Sequence, residues 1–129
     1  MQVIDTSTIA RFALREEGWE RLIDYLREGT TMPFAVVELG NVFWKRLIKN
    51  RINEEAVIDI LEGFSTYYTL LSQNRHLVSA LKISKENRLP FYDRLFIAAA
   101  AGEGYGLVTC DRKQAEVARK LGVKVIEVG

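Results

Sequence analysis

Four carboxylates stand where an apolar core would be expected. Asp5 follows Val3-Ile4, and Glu38 sits inside Phe34 to Trp44 with Asn41 as its only polar companion. Asp93 lies in Leu89 to Ala101 beside only Arg94, and Asp111 ends Leu107-Val108-Thr109-Cys110. The other 13 of the 17 acids fall mainly on mixed, charged stretches such as Arg15 to Glu28, as solvated helix faces should. A carboxylate in apolar surroundings is costly unless something neutralises it, and neighbouring carboxylates add repulsion. Four of them converging would call for cations, and the apolar stretches supply only Arg94 as an immediate neighbour.

Oxygen ligands without histidine or cysteine suit Mg²⁺ or Mn²⁺, hard ions usually held by a few carboxylates together with waters and a substrate phosphate. The chemistry implied is phosphodiester hydrolysis. Two ions roughly 3.5 to 4 Å apart can activate water and stabilise the leaving oxygen in an in-line displacement. No nucleophilic side chain is then required. Thr6, Ser7, Asn41 and Thr109 are the candidate supporting groups beside the acids, and Arg94 and Arg112 the candidate substrate contacts.

Each acid also has a plainer reading. Asp5, Thr6, Ser7 or Thr8 can cap a helix that begins there, Glu38 can bond to Asn41 one turn on, and Asp93 can favour the positive end of its helix. Both readings stand for any one acid; four such coincidences together are the weaker account. His76 has no Ser or Cys partner nearby and reads as structural or surface, and Cys110 as a buried small hydrophobe. Lys45, Arg46, Lys49 and Arg51 form a basic helix end that either is solvated or tracks an RNA backbone.

The elements that must position these residues alternate. Gln2 to Ile4 reads as a buried strand, Ile9 to Leu14 as a short helix, and Trp19 to Leu26 as a second helix ended by Gly29. Thr30 to Pro33 leaves room for a short strand before a long helix over Phe34 to Lys49. Asn53 with Glu54 and Glu55 starts a helix that ends near Phe64, and Tyr67 to Leu71 is β-rich. A helix follows from Leu77 to Asn87, then one from Pro90 through the small residues Ala98 to Ala101, ended by Gly102 and Gly104. Leu107 to Cys110 is a strand, Lys113 to Leu121 a helix, and Val123 to Val128 a last strand. This alternation predicts a three-layer α/β/α arrangement around a parallel sheet of four or five strands, joined by right-handed crossovers.

The 129 residues fit one domain, 1–129, large enough to bury a core without staples. A net charge of +1 advertises no polyanionic partner, so any nucleic-acid contact must be local. The lone cysteine suits a reducing compartment, and no leader or membrane span is visible, so a cytoplasmic protein is expected. Asp5-Thr6-Ser7-Thr8 holds no glycine, against a Walker-type phosphate loop. Leu70-Leu71-Ser72-Gln73 lacks the phosphorylatable acid that a receiver domain would place at the end of its third strand.

Over essentially its whole length the chain resembles the PIN-domain ribonucleases, and among them the VapC-type toxins of toxin–antitoxin pairs. Val3-Ile4-Asp5-Thr6-Ser7 is similar to the family's opening strand and first acid, and Val36-Val37-Glu38-Leu39-Gly40-Asn41 to its glutamate and following asparagine. Tyr92-Asp93-Arg94 entering an Ala-rich helix is similar to its third acid, and Leu107-Val108-Thr109-Cys110-Asp111 to its fourth. Arg94 departs from the small residue more usual after the third acid, and no further acid stands at Ala115, although Glu116 is near. The resemblance implies a sheet in the order 3-2-1-4-5, an Mg²⁺- or Mn²⁺-dependent endoribonuclease acting through Asp5, Glu38, Asp93 and Asp111, and a VapB-like antitoxin partner. A tail of that partner would place an Arg or Lys among the acids, with Ile9, Phe12, Trp19 and Leu22 as apolar contacts. A homodimer is also expected, because Trp19, Phe43, Trp44, Tyr67 and Tyr68 are more large aromatics than one small core readily hides. The alternative is a PIN-like fold kept as a non-catalytic RNA-binding or scaffolding module.

Overall fold

Val3 and Ile4, wholly removed from solvent, are the middle of the molecule. They belong to strand β1 (Gln2–Ile4), which pairs in parallel with β2 (Thr30–Thr31) on one side and β4 (Gly106–Thr109) on the other. A strand buried on both faces needs the continuous apolar run that this segment and Leu107-Val108 supply. Strands β3 (Thr69–Leu70) and β5 (Val125–Glu127) close the two edges, so the parallel sheet runs β3-β2-β1-β4-β5, the order implied by the resemblance. In the computed structural model, which describes every residue except Glu28, the sheet is flanked by seven helices in a three-layer α/β/α arrangement.

Chain reversal toward the sheet relies on helices α1 (Thr6–Ala13), α2 (Ile23–Leu26), α3 (Pro33–Leu47), α4 (Glu54–Tyr67), α5 (Leu77–Asn87), α6 (Phe91–Glu103) and α7 (Arg112–Lys120). In α6, every residue from Arg94 to Ala100 is buried. Ala98 to Ala100 carry too little side chain to hold the helix away, and α6 lies directly against β1 and β4. Gly104 ends it at φ +72°, with Tyr105 N–H donating to Ala100 O at 2.9 Å and Gly104 N–H to Ala101 O at 3.4 Å. That paired closure requires a left-handed residue, which glycine adopts without strain.

The structure shifts several sequence-derived boundaries. The second helix begins as a 3₁₀ turn over Trp19–Leu22 and finishes at Leu26, before Gly29, because only Leu22 and Leu26 in it are buried and so little packing prolongs it. Helix α4 continues past Phe64 to Tyr67, leaving β3 just two residues long. Phe64 packs on Tyr68 at 4.7 Å between ring centroids, which carries the helical turn through residues whose β propensity alone favours a strand. Strand β2 is short and polar, yet Thr30 and Thr31 are fully buried. Thr31 Oγ1 donates to Ile4 O at 2.8 Å, tying the strand to β1 through a side chain as well as the ladder.

Candidate active site

Ile4 and Val108 face each other across the β1–β4 ladder. The sheet reverses its strand order between those two strands, so their carboxyl ends open a crevice of the kind that holds ligands in open α/β sheets. Asp5 and Asp111 follow these ends directly. Each also starts a helix: Asp5 Oδ1 accepts from Thr8 N–H at 3.1 Å at the head of α1, and Asp111 Oδ1 from Gln114 N–H at 3.1 Å at the head of α7. Capping and site placement are therefore the same event, since the strand end and helix start share one residue. Asp93, in the first turn of α6, brings a third helix amino terminus to the same place. The partial positive charge of three helix starts favours carboxylates there.

Glu38 reaches the pocket from the second turn of α3. Its Oε1 accepts from Thr6 Oγ1 at 2.6 Å, a bond spanning 32 residues of sequence, in place of the local pairing with Asn41. All four acids thus line one cavity of about 480 Å³, with Thr6, Ser7, Asn41 and Gln114. Its other wall is apolar, with Phe34, Tyr92 and Phe96 as the aromatic members. A larger concavity of about 840 Å³ lies at the opposite, amino-terminal end of the strands, around Met1, Gln2, Gly106 and Lys124, and contains none of these acids.

Asp5 is the most constrained acid, at 3% exposure. Ser7 Oγ and Thr8 Oγ1 both donate to its Oδ1 at 2.8 Å, and Thr109 Oγ1 donates to its Oδ2. Burial pushes its carboxyl above the ordinary value against the pull of those hydroxyls. Glu38 is also raised, chiefly by burial, with the Thr6 bond opposing and the charges of Asp93 and Asp5 adding to the rise. Asp93 is raised by burial, opposed by Arg94 and reinforced by Asp111. All three carboxyls are raised chiefly by burial, and for Glu38 and Asp93 a neighbouring acid adds to the rise. No three acids among the described residues stand close enough to cage an ion unaided.

The candidate supporting residues separate. Thr109, wholly buried, donates to Asp5 and accepts from Asp111 N–H at 3.0 Å, so one hydroxyl ties the two strand-end acids together. Asn41 is exposed at the pocket rim. Arg94 does not face the pocket: it is 2% exposed and donates to Gln114 Oε1, and burial lowers its pKa against the favourable charges of Asp93 and Asp111. It is a cation set behind the acids, because the apolar face of α6 turns it inward. Arg112 is exposed and lies 3.7 Å from Glu116. His76 is buried, with Nε2 3.1 Å from Glu103 Oε2, which also accepts from Arg75.

Gln114 is the pocket residue that sequence reasoning missed. Its Nε2 donates to Asp93 O at 2.7 Å while its Oε1 accepts from Arg94, bridging α7 to α6. The signal available was Asp111-x-x-Gln114, the spacing of a capping box, which points to a local role. Only the packing of α7 on α6 redirects that amide to the neighbouring helix.

A family model described as PIN domain matches residues 3–120. Over 120 residues the chain is 28% identical to a protein of Pyrobaculum aerophilum named Ribonuclease VapC3, covering 88% of this chain and 92% of that one. It is 25% identical over 111 residues to another from the same organism named Exonuclease VapC9, covering 86% and 80% respectively. Among solved structures, a crystal structure from Pyrobaculum aerophilum superposes with a TM-score of 0.74 at 22% identity, over 96% of this chain and 82% of that one. A toxin–antitoxin complex from Klebsiella pneumoniae does so at 0.64 and 12% identity, over 88% and 89%.

Proposed function

The chain belongs to the PIN-domain family, and from that premise we propose that it is a metal-dependent endoribonuclease whose reaction centre is the pocket of Asp5, Glu38, Asp93 and Asp111. The observation that carries the reading is the convergence of those acids, drawn from four separate stretches of sequence, on one crevice at the sheet's switch point. The named nucleases among its relatives support it.

The donor set fits Mg²⁺ or Mn²⁺. It is all oxygen and partly buried; no three of the acids cage an ion unaided, but a hydrated ion keeps waters and shares a substrate phosphate, so it needs few protein ligands. Asp5, Glu38, Asp93 and Asp111 would hold it. Once bound, such an ion supplies a Lewis acid that neutralises phosphate charge and makes water more acidic.

The chain's own groups then do the positioning. Ser7, Thr8 and Thr109 hold the Asp5 carboxylate in one orientation, and Thr6 holds Glu38 Oε1, while Oε2 takes no hydrogen bond from the described residues. Glu38, whose carboxyl burial makes more basic than an ordinary glutamate, takes the proton of the attacking water at Oε2. A new oxygen–phosphorus bond forms as the bond to the leaving oxygen breaks, and that oxygen takes a proton from solvent.

The VapC names and the toxin–antitoxin complex among the similar structures support a VapB-like partner; the four acids lining one pocket are what a basic side chain of that partner would enter. Ile9, at 2% exposure, reaches only the floor of a neighbouring cleft, and Leu22, at 0%, is core and cannot offer the apolar contact. That cleft, of about 260 Å³ between α1 and α4 and lined by Phe12, Ile60 and Tyr67, can. Of the five aromatics expected to drive self-association, Trp44 and Tyr67 are 56% and 74% exposed, Trp19 is half-buried, and Phe43 and Tyr68 are buried; light scattering that gives only monomer would exclude it.

The decisive experiment incubates the protein with a circular single-stranded RNA and Mn²⁺. Wild type should linearise the circle, which an exonuclease cannot do, and Asp93→Asn should not. Full activity in that variant or in excess EDTA overturns the reading.

A further inference from the structure

The acid pocket has two unlike walls. Beside the carboxylates, Phe34 and Tyr92 stand with ring centroids 6.2 Å apart at 41°, and Tyr92 is 52% exposed although its neighbour Asp93 is half-buried. Gln73 Oε1 accepts from Phe34 N–H at 2.8 Å, anchoring the start of α3, whose first residues have no capping side chain of their own. No lysine or arginine lines this cavity among the described residues, so it offers no direct charged contact to a phosphate. Beyond what a bound ion would give the phosphate, an aromatic face beside the reaction centre accepts the π-face of any unstacked base.

We propose that Tyr92, backed by Phe34, is a stacking platform for the nucleobase beside the scissile phosphate. The inference rests on the ribonuclease reading and deepens it. Tyr92 adjoins Asp93 in sequence and lines the same cavity as all four acids, so a base stacked on its ring stays within one nucleotide's reach of them. Stacking tolerates any base, so Tyr92 contributes affinity and register without choosing a sequence. Because no charge is involved, its contribution should depend little on salt, unlike phosphate contacts.

The test uses the full chain and a single-stranded oligoribonucleotide containing 2-aminopurine, whose fluorescence falls when it stacks. Binding is read in the Asp93→Asn background with Mn²⁺, and cleavage of the same oligonucleotide in the wild-type background. Tyr92→Ala should weaken binding about 5- to 150-fold, the range for one stacked base, and remove most of the quenching. Tyr92→Phe should restore both, since the ring carries the effect. As an exposed residue, Tyr92 can be truncated with the fold intact, and an unchanged thermal midpoint checks this. If wild type cleaves while Tyr92→Ala matches it in affinity and quenching, the platform is refuted and the nuclease reading stands. Tyr92-dependent quenching without cleavage supports the platform and overturns the nuclease; neither cleavage nor quenching overturns both.

Discussion

Replacing Thr109 with valine keeps the shape of a wholly buried side chain and removes one hydroxyl that serves two acids. Its bond to the Asp5 carboxylate, made to a charged acceptor out of water, is worth about 1.5–3 kcal/mol; its bond from the Asp111 amide is worth about 0.5–1.5 kcal/mol. Thr109→Val should therefore cost about 2–4.5 kcal/mol at neutral pH in EDTA. With an unfolding entropy of about 2.1 cal/mol/K per residue over 129 residues, each kcal/mol lowers the midpoint by about 4 °C, so a fall of about 7–17 °C is expected. Urea unfolding followed by circular dichroism measures the cost, and an unchanged slope against denaturant shows that the denatured state has not altered. A double-mutant cycle with Asp5→Ala isolates the shared bond, which should appear as coupling of about 1.5–3 kcal/mol. If Thr109→Val costs under about 0.5 kcal/mol, or costs as much without the Asp5 carboxylate as with it, the hydroxyl does not hold Asp5 in the way described here.

The raised carboxyls of Asp5, Glu38 and Asp93 give the metal-free protein a particular pH dependence. A folded acid with a raised pKa binds its proton more readily than the unfolded chain, so its contribution is fully present below the unfolded values of about 4 and is lost as pH rises through the folded value. Thermal midpoints in EDTA should fall from mildly acidic to neutral pH, and Glu38→Gln should flatten the decline; a midpoint that rises over that interval would contradict the burial of these groups. Glu103, lowered mainly by Arg75, acts in the opposite sense and loses its contribution only below the ordinary glutamate range. For partner control, a peptide carrying an Arg-containing antitoxin tail should bind more weakly when Mn²⁺ is added, read by calorimetry. Affinity indifferent to metal and to neutralising that Arg would remove the carboxylates from the mechanism.

Apolar runs, helix periods and four misplaced acids were enough, within the sequence, to expect an α/β sheet and to single out Asp5, Glu38, Asp93 and Asp111. The reason is local: burying a carboxylate is expensive, so an acid in an apolar run stands out without knowledge of its neighbours. Likewise Asp5 could be read as a helix cap because a cap involves residues three apart. What only the tertiary structure decided were the pairings across long separations. Thr6 lies 32 residues from Glu38, Thr109 lies 104 from Asp5, and Gln114 lies 20 from the Arg94 it accepts from. Nothing in the local sequence turns Arg94 inward while leaving Tyr92, two positions earlier, facing solvent. Those directions follow from how α6 and α7 pack against β1 and β4, where one helix face is sealed and the next stays open. Local sequence specifies the types of side chain available, while packing selects which of them meet.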